Sequence, residues 1–366
     1  MGQDKNGHRF MANTPAKWRR RSKYGLAQKR RERLYGALDL GTNNCRLLIA
    51  RPDGSGFRVV ASFSRIVRLG EGVSQAGALI ETAMARTVDA LAICAAKLND
   101  LGVTRTRNIA TEACRRAANC DTFLTRIKTE TGLDFETITY EEEARLALLG
   151  CQSLLTGEAP YALVFDIGGG STELTWARRK DDESFEIIDV MSMPVGVVNL
   201  AEKCGCDVSA RYYTGMVDEI AARIPPFCTK NGIGRKVSQG EVQMVGTSGT
   251  VTTLGAVYLR LPQYSRQRVD GLVIDFRSLD EASRYVAGLD YVGRAAIPCI
   301  GHERAELVVP GCAILDAICR TWPVGKLTVA DRGLREGILM ELMAADGCTV
   351  AGLPAPHAFA SPDALH

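Results

Sequence analysis

Several things are scarce in this 366-residue chain, and each shortage excludes something. No stretch of about 18 uncharged apolar residues occurs, so no membrane-spanning helix is expected. There are only four histidines, His8, His302, His357 and His366, and no His-Asp dipeptide. Of the twelve cysteines only Cys204 and Cys206 lie close together, and they lack the second pair or nearby histidines of a structural zinc site. No apolar segment follows the N-terminal arginines as a secretion signal requires, so reduced thiols and a cytoplasmic location are expected, with organelle import as the alternative. Two familiar phosphate signatures are also missing. There is no G-x-x-x-x-G-K-[ST], and no third glycine where a dinucleotide fingerprint needs one.

The bulk composition is ordinary for a chain that buries a core, with 46% hydrophobic and 24% charged residues. Charge is distributed unevenly. Residues 1–35 carry a net +9, whereas the rest of the chain carries −6, so the small overall excess of +3 comes entirely from the tail. Such a tail is expected to be disordered and suits contact with a polyanion; a solvated extension without a partner is the competing reading.

Beyond the tail, strand and helix signals alternate, as in an α/β protein. "YGALDLG", "CRLLIARP" and "FRVVASFSRI" read as strands, and 78–102 has helical apolar spacing ending at Gly102. A strand then follows in "VTRTRNIATEA", a helix over 115–132, a strand at 134–140 and a helix from 141. At "YALVFDIGGGSTELTWA" the plan starts again. Aligning Asp166 on Asp39 places Gly168 on Gly41 and Leu174 on Leu47, which predicts one architectural unit used twice. A third glycine turn lies in "GTSGTVTTLG", and "GKLTVADRGLREGILMELMAA" reads as strand then helix. The expected organisation is a tail at 1–35, a first domain at 36–155 joined by the helix at 331–345, a second domain at 156–330, and a loose end at 346–366.

A strand ending in Asp, Gly and a hydroxyl exposes backbone N–H groups without side chains in the way, and such donors hold phosphate oxygens. The aspartate would repel phosphate, but it can hold a Mg²⁺ that does not. One such turn would be weak, since glycines also simply make tight turns. Two matching turns and a third are more than that.

The ordered set "DLGTNNCRLLIA", "VRLGEGV", "ATEACRRAAN", "ITYEEEARL", "DIGGGSTEL", "PVGVVNL", "GTSGTVTTL", "ERAELVVPG" and "ADRGLREGIL" resembles the exopolyphosphatase and guanosine pentaphosphatase family over residues 36–342. The resemblance implies the actin, hexokinase and Hsp70 fold, with two like domains facing across a cleft. It also implies Mg²⁺-dependent release of terminal phosphate from inorganic polyphosphate or guanosine pentaphosphate.

The family's water-activating glutamates correspond to Glu112 and to one of the triplet Glu141, Glu142 and Glu143, with Glu141 taken first. For Glu141 a bland role competes, because an acid at a helix start with Arg145 four residues on is an ordinary surface pair. Glu112 has no evident partner in the sequence. The expected phosphate loops comprise Gly41, Thr42 and Asn43; Gly168, Gly169, Gly170, Ser171 and Thr172; and Gly246, Thr247 and Gly249. Arg68 is the first arginine candidate for a phosphate clamp, beside Arg46, Arg115 and Arg304. Asp39 and Asp166 are the expected metal ligands. Terminal hydrolysis of polyphosphate is the leading expectation, followed by guanosine pentaphosphate hydrolysis, an ATP-dependent kinase, and a non-catalytic polyanion sensor; a homodimer stays open.

Overall fold

The structure, a computed structural model, describes residues 33–54 and 56–350. Residues 1–32 of the basic tail and residues 351–366 therefore lie outside the described residues, whereas Tyr35, placed in the tail from sequence, already opens the first strand. Strands β1 (Tyr35–Leu40), β2 (Asn44–Asp53) and β3 (Gly56–Ile66) form an antiparallel meander, and β4 (Arg105–Ala110) and β5 (Glu136–Thr137) add in parallel on the other side of β1. The resulting order is β3-β2-β1-β4-β5. A second meander of β6 (Tyr161–Ile167), β7 (Thr172–Arg179) and β8 (Phe185–Met193) is extended in parallel by β9 (Val242–Thr247) and β11 (Lys326–Ala330). The short β10 (Val273–Asp275) pairs antiparallel on the far edge, giving β10-β11-β9-β6-β7-β8.

The duplication read from the sequence extends to the strand register. Asp39 lies opposite Arg46 and Leu38 opposite Leu47 in the first hairpin; Asp166 lies opposite Glu173 and Phe165 opposite Leu174 in the second. Two sheets of one topology, each a hairpin meander followed by parallel crossover strands, make up a duplicated actin-like fold.

Period-two alternation lets β1 and β2 feed two cores at once. Leu38, Leu40, Leu47 and Ile49 join the core against helices Glu81–Asp100 and Cys120–Thr131. Tyr35, Ala37, Leu48 and Ala50 face the opposite way, onto helices Tyr140–Cys151 and Leu334–Ala345. Each buried Leu or Ile contributes about 1.5–3 kcal/mol. The C-terminal helix thus returns to the first sheet, and it crosses helix Tyr140–Cys151 at glycines. A Cβ on Gly337 would fall 2.1 Å from the Leu146 carbonyl oxygen, and one on Gly150 would fall 1.9 Å from that of Gly333. Only residues without a side chain permit this approach. The second lobe has its own core, containing Trp176, Phe165 and Trp322.

Two expected elements differ. The strand over 134–140 shrinks to Glu136–Thr137, because Tyr140 already opens the next helix with the Thr139 hydroxyl as its cap. The helix over 115–132 splits into Glu112–Arg116 and Cys120–Thr131, with Ala117 extended between them. All twelve cysteines are free thiols, and among the described residues no helix is long and apolar enough to cross a membrane.

Candidate active site

Between the lobes lies a cavity of about 390 Å³, lined by Gly41, Thr42 and Asn43 from the first hairpin and by 168–171 from the second. Both turns close with the same bond. Gly41 N–H donates to the Asn44 carbonyl at 2.9 Å, and Gly168 N–H to the Ser171 carbonyl at 2.9 Å. Among the described residues the amides of Thr42, Asn43, Gly169 and Gly170 donate to no backbone carbonyl, so the turns offer N–H donors from two sides. The two turns touch. A Cβ on Gly169 would lie 3.0 Å from Thr42 Cβ, and one on Gly170 would lie 1.9 Å from Glu112 Oε2.

Glu112 opens the short helix after β4 and is buried in the cavity wall. Its carboxylate does have partners, contrary to the expectation from sequence. The Thr42 hydroxyl donates to Oε2 at 3.0 Å, and Arg116, one helical turn on, donates to Oε1 at 3.1 Å. These contacts fix its orientation across the two turns.

The second cavity carboxylate is Glu143, not Glu141. Glu141 faces solvent, and the Tyr140 hydroxyl holds its carboxyl below the usual range. Arg145 does not pair with it either, bonding Glu142 and Glu341 instead. Glu143 shares a face with buried Ala147 and Gly150, but Glu141 shares one with buried Ala144 and Leu148 as well as exposed Arg145, so helical spacing alone does not choose between them.

Glu143 lines the cavity and pairs with Arg115 at 2.7 Å. Burial, then the nearby Glu173 carboxylate, push its pKa up to about 8, with Arg115 opposing. Glu173 itself sits behind the loop, accepting hydrogen bonds from Ser171 (2.6 Å) and Ser192 (2.9 Å). Its pKa is raised to about 7, chiefly by burial. Arg115 is therefore spent on carboxylates and on the Ile138 carbonyl, rather than clamping phosphate.

Asp39 and Asp166 both face the cavity. Burial raises both carboxyls, that of Asp166 to about 7, with Glu143 and Asp39 adding to the effect. In the same cavity Asn43 Oδ1 is buried without a hydrogen-bond partner. Carboxylates in mutual repulsion beside an acceptor lacking a donor suit a hydrated divalent cation. Among the described residues no group of three or more His, Cys, Asp or Glu side chains gathers that could hold a metal ion.

The remaining expected residues divide. Ser171 and Gly249 line the cavity, as do Arg46 and Arg304. Thr172 does not, since it is fully buried in β7 and its hydroxyl donates to the Val195 carbonyl at 2.7 Å. Gly246 is absent from the cavity too, packed so that a Cβ would meet the Phe165 ring at 2.5 Å. Thr247 donates to the Arg332 carbonyl at 2.9 Å and reaches only a rear chamber. Arg68 stands at the cleft mouth, exposed, bridging to Glu306 of the other lobe at 3.2 Å. Sequence reasoning missed Ser248, which lines the cavity at φ 143 while its hydroxyl caps helix Gly249–Tyr258. A strained non-glycine residue of this kind is typical of a ligand site.

Comparison with known proteins identifies the family and the fold. The model of the Ppx/GppA phosphatase family matches residues 48–345. A guanosine-5'-triphosphate,3'-diphosphate pyrophosphatase of Photobacterium profundum is 31% identical over 312 residues, covering 85% of this chain and 59% of the relative. Its Vibrio vulnificus counterpart is 31% identical over 320 residues, covering 87% and 61%. The chain thus spans about three-fifths of the length of these curated relatives. The crystal structure of the Aquifex aeolicus Ppx/GppA family member superposes with a TM-score of 0.70 at 28% identity, covering 86% of this chain and 98% of that one. An exopolyphosphatase from Cytophaga hutchinsonii shares the fold with a TM-score of 0.77 at 23% identity, covering 86% and 98%. The chain belongs to the Ppx/GppA phosphatase family.

Proposed function

We propose that this protein hydrolyses the terminal phosphoanhydride of inorganic polyphosphate, releasing orthophosphate. The observation carrying this reading is the meeting of two free-amide turns with the Glu143 carboxylate in one cavity, where that side chain can take a proton from water. The terminal phosphoryl group sits between the turns around Gly41–Asn43 and Gly168–Ser171. Water attacks phosphorus in line with the bridging oxygen, a new P–O bond forms as the bridging P–O bond breaks, and Glu143 accepts the water's proton. Glu112, fixed by Thr42 and Arg116, orients the water. Backbone donors spread the charge on the phosphoryl oxygens. Asp39 and Asp166 would hold Mg²⁺, which when bound neutralises phosphoryl-oxygen charge.

A second reading, release of the 5'-terminal phosphate of guanosine pentaphosphate, is favoured by the activity named for the curated relatives. Phosphate release from polyphosphate and from guanosine pentaphosphate, measured side by side with Mg²⁺, separates the two. Release from neither, with a folded protein, would overturn both.

A further inference from the structure

The second lobe holds another cavity, which shares no lining residue with the interlobe cleft. It encloses about 890 Å³ among three helices, Ala210–Ala221, Phe276–Ala287 and Val308–Thr321. Small-molecule sites run to about 300–1,000 Å³, so the space suits an organic ligand. Val208, Val217, Phe276, Leu279 and Ala287 give it apolar walls.

Two carboxylates and two guanidiniums line it as well. Three of these charges are spent: Asp280 pairs with Arg284 at 2.8 Å, and Arg320 with Asp218 at 2.7 Å. The fourth is not. Among the described residues no Lys, Arg or His nitrogen lies within 4.0 Å of the Asp316 carboxylate. Its partners are hydroxyls. Tyr213 donates to one oxygen and Ser283 to the other at 3.1 Å, and the two hydroxyl oxygens lie 3.3 Å apart. An ionised carboxylate has about four acceptor positions, so about two stay open to a donor in the cavity. Burial pushes the Asp316 carboxyl above its usual range, against the Tyr213 and Ser283 hydroxyls, so the two hydrogen bonds do not fully replace water. A carboxylate without a counter-ion, set among apolar walls, is complementary to a cation carried on an apolar body, whereas an anion meets repulsion.

We propose that this cavity is a second binding site, for a small organic amine whose apolar body fills the space between the three helices and whose ammonium group pairs with Asp316. The site stands independently of phosphoanhydride hydrolysis, because neither the glycine turns nor the cleft carboxylates take part in it.

The test is calorimetric binding to the full chain, with tryptamine as the probe and indole-3-propionate, of like shape and opposite charge, as its comparison. Tryptamine is expected to bind at least about tenfold tighter. Asp316→Asn keeps the shape and removes the charge, which should raise the Kd of tryptamine roughly ten- to hundredfold and leave indole-3-propionate no weaker. Thr214→Trp puts a large ring into the cavity from an exposed lining position and leaves the Asp316 hydrogen bonds in place. It should abolish tryptamine binding while phosphate release stays within about twofold, and it locates the site even if Asp316→Asn melts early. Equal affinity for the two probes, tryptamine binding that survives either substitution, or none at about millimolar concentration overturns the site. A lower Tm in Asp316→Asn with tryptamine affinity unchanged overturns it too, leaving Asp316 as a tether between the helices.

Discussion

Gly170→Ala probes the contact between the two lobes most directly. The new Cβ would lie 1.9 Å from Glu112 Oε2, 2.4 Å from its Cδ and 2.9 Å from Thr42 Oγ1. Ordinary carbon contacts begin near 3.4 Å, so about 1.5 Å must be absorbed by moving Glu112 or by parting the turns. Overpacking of this kind costs about 1–3 kcal/mol. A shift of about 1 Å in a group that orients the nucleophile lowers turnover by about a hundredfold. The Thr42 bond at 3.0 Å and the Arg116 bond at 3.1 Å would be lost together, since both hold the same carboxylate. The assay is steady-state phosphate release with thermal melting. Gly215→Ala serves as the control, because it lies mid-helix with nothing within 4 Å of the added methyl. The control is expected to gain up to about 1 kcal/mol of stability with unchanged turnover. Gly170→Ala with kcat/KM within about twofold of the unsubstituted protein would show that Glu112 and the glycine turn do not meet in the working enzyme.

Glu143→Gln is expected to lower kcat roughly 10²–10⁴-fold, as for loss of a general base, whereas Glu141→Gln leaves it within about twofold; the reverse ranking would restore Glu141. Arg68→Ala removes a half-exposed bridge to Glu306 worth at most about 1 kcal/mol, so a small, salt-sensitive drop in Tm is expected. A tenfold or greater rise in KM would instead mark Arg68 as a substrate clamp. Stability should fall as pH rises. Asp166 and Glu173, raised to about 7, and Glu143, raised to about 8, hold protons in the native state that the unfolded chain has already released above about pH 4.5. Melting temperatures in chelator should therefore decline from pH 5 to 8 and recover with Mg²⁺; a flat profile would show that burial and neighbouring carboxylates do not raise these acids in the native state.

The duplicated hairpins were legible because they are local. An Asp, a Gly and a Leu at fixed spacing report the same turn wherever it lies in the chain. What escaped was tertiary. Thr172 reads as another loop hydroxyl, yet one residue of strand beyond Ser171 turns its side chain away from the cavity and onto the Val195 carbonyl. Arg115 sits inside a matching motif, but its guanidinium meets Glu143 from a helix 28 residues away in sequence, which no local pattern announces. Glu143 escaped for the same reason, since Ala144 and Leu148 on the face of Glu141 are as buried as Ala147 and Gly150 on its own.

The duplication alone would make a symmetric grip, with two like turns and no reason to cut on one side rather than the other. The copies differ in charge at the register position facing each aspartate. Opposite Asp39 stands Arg46, and opposite Asp166 stands Glu173. Arg46 faces the rear chamber beside Arg335 and Arg304, whereas Glu173 backs the loop serine and faces Arg115, which holds Glu143. Equivalent strand positions thus place a cation at one end of the cleft and a carboxylate network at the other. Under the proposed phosphoanhydride reading this polarity suits in-line displacement, with a base on one side of the anhydride and positive charge on the other.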